Sequence, residues 1–97
     1  MIAFEWDPAK ASDNLRKHRV AFTEAATVFR DPLGITAHDP HHSDAEDRYL
    51  TVGASAARRL LIIAHTERRG RIRIISAREL NHRERREYEN EIKRRRT

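Results

Sequence analysis

Aliphatic and charged residues alternate in the segment that begins Arg71, Ile72, Arg73, Ile74. A period of two places successive side chains on opposite faces of a strand. Both isoleucines are therefore predicted to be buried, and both arginines are predicted to lie on an open sheet face. Further strands are predicted at residues 2–6, 33–37, 48–54 and 59–66. The unbroken apolar run at residues 60–63 is typical of a central strand.

Helix signals occupy the N-terminal third of the chain. Asp7 and Pro8 are residue types favoured at the N-cap and at the first position of a helix. They predict a helix over residues 8–18, with Ala11, Leu15 and His18 turned inward. Thr23 is expected to cap a second, shorter helix that stops before the Asp-Pro pair at residues 31–32.

A third helix is predicted near the C-terminus, where Asn81 and Glu84 have the spacing of a capping box. Gly70 separates the last two strands and is suited to the positive φ of a tight hairpin. The order is β-α-α, then an antiparallel meander, then a helix. This order predicts an α+β fold formed by residues 1–97 as a single domain.

Charge narrows the classes of partner. The chain of 97 residues carries 20 Lys and Arg against 15 Asp and Glu, a net charge of +5. Most of the cations are arginines, whose planar fork matches phosphate. RNA is therefore the expected partner. A transmembrane run, a signal peptide and cysteine are all missing from the sequence, and these features together favour a cytoplasmic protein.

The arginines and a few proton carriers suit RNA cleavage without a metal. That reaction needs a base, an acid, and cations that stabilise the phosphorane as the ribose hydroxyl attacks. The candidate cations are Arg71, Arg73, Arg78 and Arg85. The candidate proton carriers are His18, Tyr88 and Glu84. Alternating arginines on an exposed strand are also compatible with a merely solvated surface.

A histidine-rich loop at residues 38–47 raises a second possibility, a zinc site. Zinc ligands usually come from two elements at fixed spacings, often with cysteine. Here the candidates crowd one loop, so a solvated loop is favoured, and we expect no metal and no cofactor.

Three segments resemble the BrnT family of toxins: FEWDPAKASDNLRKHRVAFTEAATVFRDP, HHSDAEDRYLTVGAS and RIRIISARELNHRERREYE. They follow one another in the family's order and cover nearly the whole chain. Arg19 is a departure, because family members usually have glycine there. This departure affects a turn rather than the chemistry.

The resemblance implies a RelE-like ribonuclease, with an antiparallel sheet, two N-terminal helices and a C-terminal helix, that arrests translation by cutting RNA. It also implies a BrnA-type antitoxin with a ribbon-helix-helix domain, in a complex that represses its own promoter. We expect two toxins on one antitoxin dimer. The positions matching the family motifs are Lys17, His18, Arg71, Arg73, Ser76, Arg78, Arg85 and Tyr88.

The individual roles follow from chemistry alone. His18 is predicted to be the general base, Tyr88 the acid or a phosphate anchor, and Glu84 a residue that orients an arginine. We expect Lys17, Ser76, Glu84 and Arg85 to contribute to RNA binding. The alternatives are a non-catalytic nucleic-acid-binding module and a structural partner protein. The shortage of exposed aromatic residues argues against the first alternative, and the absence of an apolar surface stripe argues against the second.

Overall fold

The computed structural model describes residues 2–96 and has the predicted α+β architecture. Within these residues the strands and helices are, in chain order, β1 (Phe4–Glu5), α1 (Pro8–His18), α2 (Phe22–Thr27), β2 (Ile35–His38), β3 (Tyr49–Ala54), β4 (Leu60–Arg68), β5 (Arg71–Glu79) and α3 (His82–Arg96). Single 3-10 turns lie at Val28–Arg30 and Pro40–His42.

The sheet has five strands in the order β1-β5-β4-β3-β2. Strands β2 to β5 form the predicted antiparallel meander, with β4 at the centre. The expectation of a wholly antiparallel sheet is wrong, because β1 pairs parallel to β5 through Phe4–Ile72 and Glu5–Arg73. Alternation of apolar and polar residues predicts which face a side chain occupies, but it carries no information on strand direction.

The core lies between one face of the sheet and helices α1 and α2. Its buried members are Val20, Phe22, Ala25, Val28, Leu61, Ile63, Ile74 and Ala77. The predicted division of the β5 side chains between the two sheet faces is confirmed. Ile74 is buried and Ile72 packs against the core, while Arg71 is exposed and Arg73 projects from the other face. Helix α3 lies on that second face, alongside Ile35, Val52 and Ile62.

Most of the predicted helix starts are confirmed. Asp7 caps α1, and its carboxylate accepts a hydrogen bond from the Ala9 amide at 2.8 Å. The prediction that Thr23 caps α2 is wrong, because that helix begins at Phe22 after Ala21. Phe22 is buried in the core, and its burial outweighs the capping preference of Thr23.

The inward face of α1 agrees with the prediction at Ala11, which packs against the core, and differs at Leu15 and His18, which are exposed. Leu15 is 50% exposed, whereas Asn14 is 5% exposed. Ile2 is likewise half exposed and lies outside β1. The hairpin between β4 and β5 turns at Arg69 and Gly70, with φ values of 53° and 77°. Positive φ at both central residues is the geometry of a type I′ turn, which confirms the prediction for Gly70.

Candidate functional site

A concave groove of about 360 Å³ opens on the sheet face that α3 only partly covers. We call it the sheet groove. It is lined by His18, Asp39, His42, Arg48, Leu50, Ile62, Ala64, Ser76, Ala77 and Arg78. An aliphatic floor is thus bordered by imidazole, carboxylate, hydroxyl and guanidinium groups. Such a border provides both proton carriers and cations around one space.

His18 reaches the groove because Asn14 fixes α1 against the edge of β5. The Asn14 side-chain amide donates to the carbonyl oxygens of Ala77 and Val20 at 2.8 and 2.9 Å. Its oxygen accepts from the Ala77 amide at 3.0 Å. Asn14 therefore forms hydrogen bonds with both backbone groups of Ala77 at the edge of β5, as a neighbouring strand would. One turn further along α1, His18 lies over the groove.

Arg78 is held by the first turn of α3. Its two terminal nitrogens donate to the two carboxylate oxygens of Glu84 at 2.8 and 2.9 Å. The Glu84 oxygen also accepts from the Asn81 amide at 3.0 Å, and the Asn81 side chain accepts from the Glu84 amide at 2.8 Å. This is the predicted capping box. Mainly through the hydrogen bonds from Arg78, the pKa of Glu84 falls to about 2.

Asp39 and His42 form a carboxylate–imidazole pair on the opposite wall. The Nδ1 atom of His42 lies 2.9 Å from the Asp39 carboxylate. Burial works to raise the pKa of Asp39, but hydrogen bonds from His42 and from the His41 amide hold it below its usual value. A carboxylate on one ring nitrogen fixes the orientation of the ring. The other nitrogen of His42 is then available for proton transfer.

Sequence reasoning weighed Asp39 and His42 only as zinc ligands, and it did not identify Arg48 as a candidate site residue. The loop at residues 38–47 was interpreted as solvated, and Arg48 was treated only as the start of a strand. A usable signal was present: Asp39 and His42 stand three residues apart, the spacing of neighbours on one helical turn. Arg48 also lies in the central segment that carries the family resemblance.

Arg71 and Arg73 lie on the open face, as predicted, but outside the groove. Both are at the end of β5 next to the hairpin turn. Arg73 forms an ion pair with Glu5 of β1 at 2.7 Å, and both side chains are about one-third exposed. Arg71 is exposed, and among residues 2–96 it forms no ion pair. Of these two arginines, Arg73 is therefore held in an ion pair and Arg71 is not.

The remaining predicted residues lie on helices α1 and α3, outside the groove. Lys17 is exposed and lies 3.8 Å from Asp13, and Arg85 lies 3.9 Å from Glu89. Tyr88 borders a separate cavity beyond α3, where its hydroxyl donates to the Leu33 carbonyl at 3.3 Å. Burial and the nearby Asp31 raise the pKa of Tyr88. The structure thus does not bring Tyr88 to the cavity that His18 lines.

The histidine-rich loop pairs its side chains internally. His38 contacts Asp47 at 3.0 Å, in addition to the Asp39–His42 pair. Across residues 2–96, no three His, Asp or Glu side chains gather in a cluster able to hold a metal ion. The helices in this part of the chain also include none that is long and apolar enough to span a membrane.

The fold and the groove define a small α+β domain with a cationic concavity on its sheet. Residues 6–84 match the family described as "Ribonuclease toxin, BrnT, of type II toxin-antitoxin system". The chain belongs to this family, and membership of a type II toxin–antitoxin family implies an antitoxin partner. No curated protein matches the chain.

A solved structure supports the same fold. The chain is similar to the Brucella abortus ribonuclease toxin BrnT, whose crystal structure was determined at 1.1 Å resolution. The TM-score is 0.62 at 18% sequence identity, and the match covers 84% of this chain and 100% of that chain. At this identity the likeness establishes the fold alone.

Proposed function

We propose that the protein cleaves RNA in the sheet groove without a metal ion, by attack of a ribose 2′-hydroxyl on the neighbouring phosphodiester. The observation that carries this proposal is the grouping of two histidines and two arginines, His18, His42, Arg48 and Arg78, around one cavity. Two imidazoles suit a base and an acid, and two guanidiniums suit the charge that develops on a phosphorane.

In this mechanism His18 accepts the proton of the 2′-hydroxyl as the oxygen attacks phosphorus. The bond from phosphorus to the 5′-oxygen breaks, and that oxygen takes a proton from the imidazolium of His42. The products are a 2′,3′-cyclic phosphate and a 5′-hydroxyl. Asp39 supports this role because its carboxylate lies 2.9 Å from Nδ1 and holds the ring in place, which leaves Nε2 to face the groove. His42 thereby takes the place that sequence reasoning gave to Tyr88.

Arg48 and Arg78 stabilise the phosphorane, and Ser76 provides a hydroxyl for the same phosphate. Glu84 keeps the plane of Arg78 fixed through the two-point ion pair. The other predicted cations lie outside the groove and are assigned to RNA binding along the surface. They are Lys17, Arg71, Arg73 and Arg85.

The cellular role follows from the family and from the charge of the protein. We propose that cleavage arrests translation in the cytoplasm and that the fold is related to that of RelE. The partner is a BrnA-type antitoxin whose acidic, apolar-striped segment covers the cationic sheet face. Its ribbon-helix-helix part dimerises and binds promoter DNA, giving a complex of two toxins and two antitoxins.

The test is incubation of purified protein with RNA, with and without EDTA, followed by analysis of the 3′ ends. We expect cleavage to persist in EDTA and to leave a cyclic or 3′-phosphate. Loss of activity in EDTA that magnesium or zinc restores would contradict the mechanism. RNA that is bound but never cut would instead favour a non-catalytic nucleic-acid-binding module.

A further inference from the structure

A second cavity, of about 340 Å³, adjoins the sheet groove. We call it the Thr66 cavity. It is lined by His41, His42, Asp44, Ala45, Glu46, Arg48 and Thr66. His42 and Arg48 line both cavities. A group bound in the groove and a group bound in the Thr66 cavity would therefore lie against the same two side chains.

Two buried polar atoms in this cavity have no hydrogen-bond partner. They are Oγ1 of Thr66 and Nε of Arg48, the two buried side-chain atoms of this kind within residues 2–96. Thr66 is only 2% exposed. An unpaired buried hydroxyl or N–H group destabilises a fold, and native proteins rarely retain one without a reason. Both residues line the same cavity, which points to a ligand that enters it and completes their hydrogen bonds.

Thr51 provides an internal comparison on the neighbouring strand. It is as deeply buried as Thr66, at 3% exposure. Its hydroxyl lies 2.7 Å from His65 and 2.7 Å from Thr36. Burial of a threonine in this sheet is thus compatible with full hydrogen bonding. The unpaired hydroxyl of Thr66 is a property of its cavity rather than of the sheet.

The rest of the lining indicates the chemistry of the ligand. Asp44 makes no hydrogen bond or ion pair with the described part of the chain, and Glu46 accepts from Arg68 at 2.7 Å. Two carboxylates repel a phosphate, whereas donors and acceptors placed together suit a nucleobase. Guanine fits best, because N1–H and the 2-amino group form two adjacent donors for a carboxylate. Its O6 and N7 atoms accept from a guanidinium or hydroxyl.

We propose that the Thr66 cavity binds a guanine base next to the scissile phosphate and thereby sets the sequence preference of cleavage. This proposal rests on the proposed function, because the base is placed relative to an RNA in the sheet groove. Asp44 accepts from N1–H and the 2-amino group of the base, since both oxygens of Glu46 already accept from Arg68. Thr66 and Arg48 donate to the carbonyl oxygen O6 of the base, a position at which adenine carries an amino group that cannot accept. Adenine is discriminated against, since its N1 is an acceptor that faces a carboxylate.

Thr66→Val tests the proposal, with Thr51→Val as the matched control. We expect Thr66→Val to keep or raise the Tm, because it removes an unpaired hydroxyl, and Thr51→Val to lower it. Wild-type protein should cleave RNA next to guanine with a higher kcat/KM than next to adenine. In Thr66→Val the preference should fall about tenfold, the value of one hydrogen bond to a well-placed partner. Inosine, which lacks the 2-amino group, should rank between the two bases.

A binding experiment distinguishes failure of the guanine subsite from failure of the proposed ribonuclease activity. Short RNAs with a 2′-deoxy sugar at the scissile position cannot be cleaved, and their affinity is measured by fluorescence anisotropy. Tighter binding of the guanine analogue by wild type than by Thr66→Val supports the subsite. Equal base preference of the two proteins, in cleavage and in binding, overturns the subsite alone. Absence of cleavage by folded wild-type protein, with guanine-selective binding retained, overturns the proposed function alone.

Discussion

Replacement of Asn14 by leucine should be among the most destabilising substitutions of a polar residue in this protein. It leaves the Ala77 amide, the Ala77 carbonyl and the Val20 carbonyl without their partners. Each buried group that loses its partner costs about 1–3 kcal/mol, and water reaches some of them at the sheet edge. We therefore expect a loss of about 3 kcal/mol in the free energy of unfolding.

The loss is large enough for a thermal melt followed by circular dichroism. For a domain of 97 residues, each kcal/mol shifts the Tm by about 4–8 °C, so a loss of about 3 kcal/mol should lower it by about 12–24 °C. Asn90→Leu, at an exposed position of α3, is the matched control and should change the free energy of unfolding by less than about 0.5 kcal/mol. Equal Tm values for the two variants would refute the role of Asn14 as the partner of the β5 edge.

Asn14→Asp refines the same test without a change of shape. The introduced carboxyl group still accepts from the Ala77 amide, but its ionised form faces two carbonyl oxygens. Burial and this repulsion raise its pKa in the folded state. The variant should therefore be most stable at low pH and lose stability as the pH rises through that raised pKa. A pH-independent difference from wild type would contradict the reasoning.

Three further outcomes follow from local geometry. Arg19 follows the last residue of α1 with a φ of 59°, a conformation that strains a non-glycine residue. Arg19→Gly should therefore raise the free energy of unfolding by about 1 kcal/mol in urea titrations. An unchanged urea midpoint would contradict the presence of strain at this position. Burial lowers the pKa of His65 to about 4. The neutral ring therefore contributes its full stabilisation above pH 6.5, and the free energy of unfolding should fall by about 2 kcal/mol as the pH decreases to 4.5. His65→Gln should not show this decline. Glu84 has a folded pKa of about 2, so its contribution should be present above pH 4.5 and fade below it. Glu84→Gln should weaken RNA cleavage more than Glu87→Gln, an exposed control on the same helix; equal activities would remove Glu84 as a positioning residue.

The sequence predicted what depends on local pattern. Alternation in β5 identified the buried isoleucines, and the spacing of Asn81 and Glu84 identified the start of α3. Long-range pairing was beyond this reasoning. Glu5 meets Arg73 only because β1 adds to the sheet in parallel, and no local pattern records that direction.

The groove shows the same division between local and long-range information. His18 and Arg78 were selected by their chemistry and by the family motifs, and the structure brings both of them to one cavity. Arg48 and His42 complete that cavity from the segment that precedes β3, and both lie more than 20 residues in sequence from His18 and from Arg78. Tyr88 was selected on the same grounds as His18. The crossing of α3 over the sheet, which no pattern in the chain specifies, turns it toward Leu33.

The most direct test of the central claim compares single-turnover RNA cleavage by Arg48→Ala and Arg30→Ala. Both variants lose one arginine, but Arg48 borders the groove, whereas Arg30 is exposed at the end of a 3-10 turn. A preorganised cation at a developing charge is worth about 10²–10³ in rate. The account predicts a loss of at least about 100-fold for Arg48→Ala and wild-type cleavage by Arg30→Ala. Wild-type cleavage by a folded Arg48→Ala variant would contradict the assignment of the sheet groove as the ribonuclease site.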